Sequence, residues 1–442
     1  MEHPSAELAA ALRPRRRPWW LPAIFGPVPE LEPRVTATLG LVAVGMMFEN
    51  YDLGLLNAAL KQIAESLEIA PGDSGWFLAA IRLGGLGTFV LVPVADRVGR
   101  RRVFLASLVG MSAGTLATGL APTAWAFVLC QIFTRAFMLT ASALAVVFLV
   151  EELPAEHRGW GLGTLTVMGG VGYGLGAALY AAVDVLPFGW RTLYAAGVLP
   201  LALLPLFRRE LLETRRFEDE REARGPAASS GTSLAWLASV SGLVRDHRRH
   251  AVGVGLAGCL TAMGGLAFFQ YASFFAQTVH GWAPGHYSLL VIGGGFLGMA
   301  GSVLGGRAAD RIGRRKVGLG ALLCVPLAAA LYYRGPGLAL PLGFAAFVFF
   351  GSAGDVVVRA LAGELFPTDR RGASTGWLIL VQTLGFALGL ALVGLGTREA
   401  ADLAVAVPLV SLASAAGGLC LLLLPETGHR ELEAISGPRG IA

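Results

Sequence analysis

Charge is scarce in this chain. Asp, Glu, Lys and Arg make up 15% of its 442 residues, against 55% apolar residues. That shortage excludes an ordinary water-soluble domain, whose surface needs far more charge. Cysteine is scarce as well. Cys130, Cys259, Cys324 and Cys420 all fall inside apolar runs, and no pair has metal-ligand spacing. They read as small core residues, not as a disulfide framework or a metal site. No cleavable signal is expected either, because the run after Arg13, Arg15, Arg16 and Arg17 carries acids and has no small-residue cleavage site. No nucleophile, nucleotide or metal motif appears, so neither an enzyme nor a cofactor is expected.

What remains is long apolar runs. The mean hydropathy is +0.62, and stretches of eighteen or more apolar residues read as membrane helices. Twelve spans are expected, from 36–59 to 403–424. The net charge of +5 would suit nucleic acid, but most of the 35 Lys and Arg fall in loops on the side of the two termini. That asymmetry places both ends in the cytoplasm of an inner or plasma membrane. The cations then meet anionic lipid headgroups, and no nucleic-acid partner is expected. Trp19 and Trp20 beside the N-terminal arginines suit the inner interface.

Two loops occur twice. Val92-Pro-Val-Ala-Asp-Arg-Val-Gly-Arg-Arg-Arg102 returns as Gly306-Arg-Ala-Ala-Asp-Arg-Ile-Gly-Arg-Arg-Lys316, and Glu151-x-x-Pro154-x-x-x-Arg158-Gly159 returns as Glu364-x-x-Pro367-x-x-x-Arg371-Gly372. One offset of 213 or 214 residues fits both pairs, so the chain is two copies of one unit, a sequence mark of secondary transporters. The units expected are a tail (1–34), a six-helix bundle (35–207), a polar linker (208–249), a second six-helix bundle (250–424) and a tail (425–442). The fold class is an all-α membrane protein of two pseudo-symmetric bundles.

These motifs, with Pro425-Glu-Thr-Gly-His-Arg-Glu-Leu-Glu433, resemble the major facilitator superfamily, in the branch holding sugar porters, organic-ion carriers and carboxylate:proton symporters. The resemblance implies alternating access around a central cavity. It also implies that Asp96, Arg97, Gly99, Arg100 and Arg101 gate the cytoplasmic face with Glu151 and Arg158. Asp310, Arg311, Gly313, Arg314, Glu364 and Arg371 form the counterpart. Departures are visible: Val92 stands where the loop usually begins with glycine. Span 5 runs Gly174-Leu-Gly176 without the Gly-Pro pair of the family's antiporters. Leu211-Leu-Glu213-Thr-Arg-Arg-Phe217 resembles the Pro-Glu-Ser-x-Arg loop of sugar porters but lacks its proline.

Charges inside spans cost roughly 2.5–3.5 kcal/mol each on insertion scales. Glu49 and Asp52 interrupt span 1, three residues apart on one helix face. Two carboxylates so close in low dielectric suit a proton carrier. Arg82 in the outer half of span 2 and Arg135 near the middle of span 4 lie within reach of them. The alternatives are a switchable cluster that takes a proton and an anion, or a permanent ion pair. Tyr51 belongs to the same polar interruption. From the second half, Gln270, Tyr271 and Gln277 on span 7 and Trp377 and Gln382 on span 11 are candidate substrate contacts. Asp355 and Arg359, one turn apart in span 10, could simply neutralise each other.

The function expected is secondary active transport of a small organic solute by a monomer, with proton-coupled symport of a carboxylate favoured. A sugar or polyol porter, a drug efflux carrier and a membrane sensor that binds solute without moving it are the other readings.

Overall fold

A computed structural model describes residue 29 and residues 31–224, 234–367 and 370–428. The N-terminal Arg and Trp clusters, the linker over 225–233 and the tail motif beyond Gly428 lie outside them. Twelve helices among the described residues are long and apolar enough to cross a membrane. They are α1 (Pro33–Ala58), α2 (Pro71–Val98), α3 (Arg100–Leu120), α4 (Ala124–Glu152), α5 (Arg158–Tyr180), α6 (Trp190–Glu210), α7 (Arg248–His280), α8 (Pro284–Ile312), α9 (Arg314–Arg334), α10 (Ala339–Glu364), α11 (Arg371–Leu395) and α12 (Ala400–Leu423). Alternate crossing puts both repeated motifs on one side of the molecule, here the motif side. The other side is the far side.

The two halves share a matching close helix pair. In the first, Gly172 of α5 lies so near α1 that a Cβ there would overlap the Met47 carbonyl; in the second, Gly385 of α11 meets the Cys259 carbonyl of α7 in the same way. Glycine at these points lets backbones touch, which is how helices gain dispersion contact where lipid offers no hydrophobic drive. The two glycines are 213 residues apart, so the repeat read from the loops extends into the packing.

The first signature loop is shorter than the sequence suggests. Helix α2 continues to Val98 and α3 starts at Arg100, leaving Gly99 alone between them with φ of 113°; Gly313, with φ of 114°, does the same between α8 and α9. An apolar-run reading ends a helix at its first charges. Here the charged residues remain helical, and one glycine in a left-handed conformation supplies the whole turn. Helix α6 departs in the other direction, breaking into Trp190–Ala196, Leu199–Ala202 and Leu204–Glu210. Pro200 and Pro205 lack the N–H that a continuous helix needs. The linker holds two helices, Arg215–Arg224 and Leu234–Asp246, and the second packs on α7 and α11.

The halves meet through α1 with α7, α2 with α11 and α5 with α8. At the far side, Gly75 of α2 abuts Gly394 of α11 backbone to backbone.

Candidate functional site

The motif side carries a charge clamp in duplicate. Arg100 reaches Glu151 at 3.0 Å and Asp96 at 3.5 Å. Arg314 reaches Glu364 at 2.7 Å and Asp310 at 2.9 Å. Each clamp is completed by an acid that follows the sixth helix of its half. The Glu213 carboxylate accepts from the Arg101 N–H at 3.1 Å, and the Glu426 carboxylate accepts from the N–H groups of Arg314 at 2.8 Å and Arg315 at 3.1 Å. An anion at these helix N-termini satisfies backbone donors that have no partner inside the helix. Burial alone would push the Glu426 carboxyl up, but N–H donors from Gly428, Arg314, Arg315 and Thr427 outweigh it and hold it below the usual carboxylate range. Thr427 Oγ1 also donates to Glu364 at 2.6 Å.

Glu213 and Glu426 were not among the gating residues expected, although they share the 213-residue offset. That offset was the signal available for finding them. Arg101 and Arg315 donate to the carbonyls of Arg208 and Leu422. Arg158 donates to the Leu153 carbonyl at 3.3 Å, and Arg371 begins α11 with its Nε buried and unpartnered. Neither joins its clamp. Arg97 and Arg311 are exposed at the ends of α2 and α8.

The polar interruption of α1 builds a second cluster. Asp52 is 2% exposed and Arg135 3%. Asp52 Oδ1 accepts from Thr115 Oγ1 at 3.1 Å, with Gln131 beside it. Arg135 lies in electrostatic range of Asp52, Glu49 and Arg82, and Ser142 lies beside Glu49. Yet Asp52 Oδ2, Glu49 Oε2 and Arg135 Nε and Nη2 have no hydrogen-bond partner in the protein. Opposite charges have been gathered here without being locked together. Thr115, Gln131 and Ser142 were missed as members, because a single hydroxyl or amide in an apolar run is also the mark of ordinary helix packing.

Tyr51 takes no part in that cluster's open valences, since its hydroxyl donates to the Leu193 carbonyl at 2.8 Å. The span 7 candidates form a seal between the halves at the far side. Arg82 Nη2 donates to Gln270 Oε1 at 2.9 Å, Tyr271 pairs with Ser74 at 3.1 Å, and Ser273 donates to the Ala58 carbonyl at 2.6 Å. Gln277 donates to the Tyr180 hydroxyl at 2.6 Å and accepts from Gln62 at 3.0 Å. Trp377 is elsewhere, stacked near Gly255 with its indole N–H on the Ala251 carbonyl. Gln382 donates to Asp355 Oδ1 at 3.3 Å, and Asp355 Oδ2 accepts from Arg359 Nε at 2.6 Å.

Twelve spanning helices in two repeated halves, a duplicated charge clamp on one side and buried charges at mid-depth define a membrane carrier. The chain matches the Major Facilitator Superfamily over residues 42–304 and 281–440, and it belongs to that family. It is therefore an integral membrane protein and a secondary transporter, not an enzyme. It is 26% identical to the D-xylose transporter of Levilactobacillus brevis over 77% of this chain and 81% of that one. It is also 26% identical to the gallate transporter of Pseudomonas putida over 88% of this chain and 91% of that one. Its fold matches the inward-open xylose transporter XylE from E. coli, with a TM-score of 0.71 and 16% identity, covering 91% of this chain and 99% of that one.

Proposed function

We propose that this transporter imports an organic carboxylate together with a proton. The observation carrying the reading is the α1–α4 cluster, where the Glu49 and Asp52 carboxylates and the Arg135 guanidinium share a buried site and several of their polar atoms stay unpartnered. A carboxylate substrate supplies acceptors for the open Arg135 fork, and a proton on Glu49 or Asp52 offsets the acid that the fork leaves behind. The gallate transporter among the relatives supports an aromatic acid. The competing reading is a sugar porter, favoured by the xylose relative and by the acid that caps α9 from the Pro-Glu-Thr tail.

In this reading the motif side is cytoplasmic, as the loop cations suggest, and both termini lie there. Residues 35–207 and 250–424 rock as two bodies about the linker 208–249, in a monomeric carrier of the inner or plasma membrane. The sealed far side then makes the state described here inward-facing.

Counterflow and proton-driven uptake in proteoliposomes test the reading. Gallate accumulation should rise with an inward proton gradient and collapse with a protonophore. Asp52→Asn mimics the protonated acid, so it should keep gallate exchange and lose uphill accumulation. Loss of both together, with lowered stability, would make Asp52 a structural partner of Arg135. Accumulation retained by Asp52→Asn and by Glu49→Gln would end the symport reading.

A further inference from the structure

Helix α10 carries an ion pair on its accessible face. Large apolar side chains such as Leu289, Phe296 and Val303 are exposed on α8, as lipid contact requires. Helix α10 exposes Leu342 toward its far-side end in the same way, but along its motif-side half the accessible face holds Gly351, Ser352, Asp355, Val356 and Arg359, while Gly354, Val357, Val358 and Leu361 behind it are buried. The Asp355 and Arg359 side chains are 39% and 58% exposed. Arg359 nevertheless lies among protein atoms on most sides, so it occupies a concave place. An ion pair open to lipid would be costly. Exposed and enclosed at once, the pair is placed as an ion pair facing an aqueous opening would be.

Its depth follows from helix rise. Asp355 is nine residues before the motif-side end of α10 at Glu364, or about 13 Å at 1.5 Å per residue. The repeat gives its position around the opening. At the 213-residue offset Asp355 matches Ser142, which lies beside Glu49, and Gln382 matches Gly169, which faces Asn50. The Asp355–Arg359–Gln382 group therefore stands at the depth of the Glu49 cluster, on the opposite wall. Of the arginines singled out inside spans, Arg82 and Arg135 are buried and Arg82 is held by Gln270, while the Arg359 side chain is exposed.

We propose that Arg359, held at its Nε edge by Asp355 and backed by Gln382, is a docking site for the carboxylate of an anionic substrate passing between the motif-side opening and Arg135. The proposal rests on the anion reading above. Asp355 occupies the Nε edge, and the terminal Nη groups are the part of the fork that offers a second acceptor its N–H donors. The same carboxylate competes with the substrate for the guanidinium charge, so the site holds an anion loosely and releases it.

The test uses the full chain in detergent, with gallate, benzoate and nicotinate as anionic probes, D-xylose as a neutral one, and ligand-induced thermal stabilisation as the readout. Arg359→Gln should weaken carboxylate binding by about tenfold, the order expected for one charge-assisted hydrogen bond. Arg359→Lys should recover part of it, and Asp355→Asn should match or exceed the wild type. The double variant Asp355→Asn/Arg359→Gln removes both charges, which protects folding, and should still bind carboxylate weakly. Wild-type affinity in the double variant, or in a folded Arg359→Gln, would make the pair structural and overturn the proposal. A wild-type protein stabilised by D-xylose and by none of the acids would instead overturn the anion reading.

Discussion

Arg135 combines a buried guanidinium with N–H groups that no protein acceptor uses. A lysine at that position would keep the charge but present a single point in place of a planar fork. Arg135→Lys is therefore expected to weaken carboxylate binding at least tenfold, on the order of one bidentate contact, while leaving the melting temperature within a few degrees. The comparison needs a carboxylate that stabilises the wild type in a thermal-shift titration. Equal binding by both proteins would remove Arg135 from the site. Asp52 and Glu49 differ in surroundings even though they share a helix face. Asp52 is held by Thr115 and has Gln131 beside it, whereas Glu49 has Ser142. This difference makes separate substitution of the two acids informative in the uptake assay.

At the scale of elements, the charge clamps work as helix caps. Glu426 closes the N-terminus of α9 through Gly313, and Glu213 closes that of α3 through Gly99. The folded protein holds the Glu426 carboxyl below its ordinary range. The stability it adds is therefore fully present above the unfolded value of about 4.3 and is lost as pH falls through the lower folded value. Melting curves of the wild type and Glu426→Gln should differ by a constant amount from pH 7 to about pH 5. The gap should close as the pH drops further. A gap that does not change with pH would show that the glutamate contributes shape and not charge.

At the scale of the molecule, the halves are joined at the far side by a small set of polar contacts centred on Gln270. Replacing it by leucine leaves the buried Arg82 without that acceptor, a loss of about 1.5–3 kcal/mol for a hydrogen bond to a charged group. The balance between carrier states should move toward opening of the far side. In a background without the four native cysteines, Asn57→Cys lies buried within the seal, between Leu56 and Ala58, whose carbonyls accept from Gln270 and Ser273. It should react with an impermeant maleimide added from the far side roughly tenfold faster when Gln270→Leu is also present. An unchanged rate would mean that Gly75 against Gly394 closes this side without help from the polar contacts.

The family and the number of helices were legible in the residues because membrane spans need continuous apolar runs, and because the two halves repeat Asp-Arg-x-Gly-Arg-Arg at a fixed offset. The same reasoning singled out Glu49, Asp52, Arg82 and Arg135, since a charge within such a run is expensive and needs a partner. Which partner each one takes could not be read this way. Spacing along one helix says nothing about the neighbouring helix that faces it, so Arg82 was grouped with the carboxylates although its fork rests on Gln270 of the other half. Tyr51 looked polar and available, but its hydroxyl is taken by the Leu193 carbonyl. Glu213 and Glu426 lie more than a hundred residues from the backbone groups they cap. The chain order fixes helices and charges one segment at a time; packing assigns their partners, because hydrogen bonds and burial depend on distances that only the folded bundle sets.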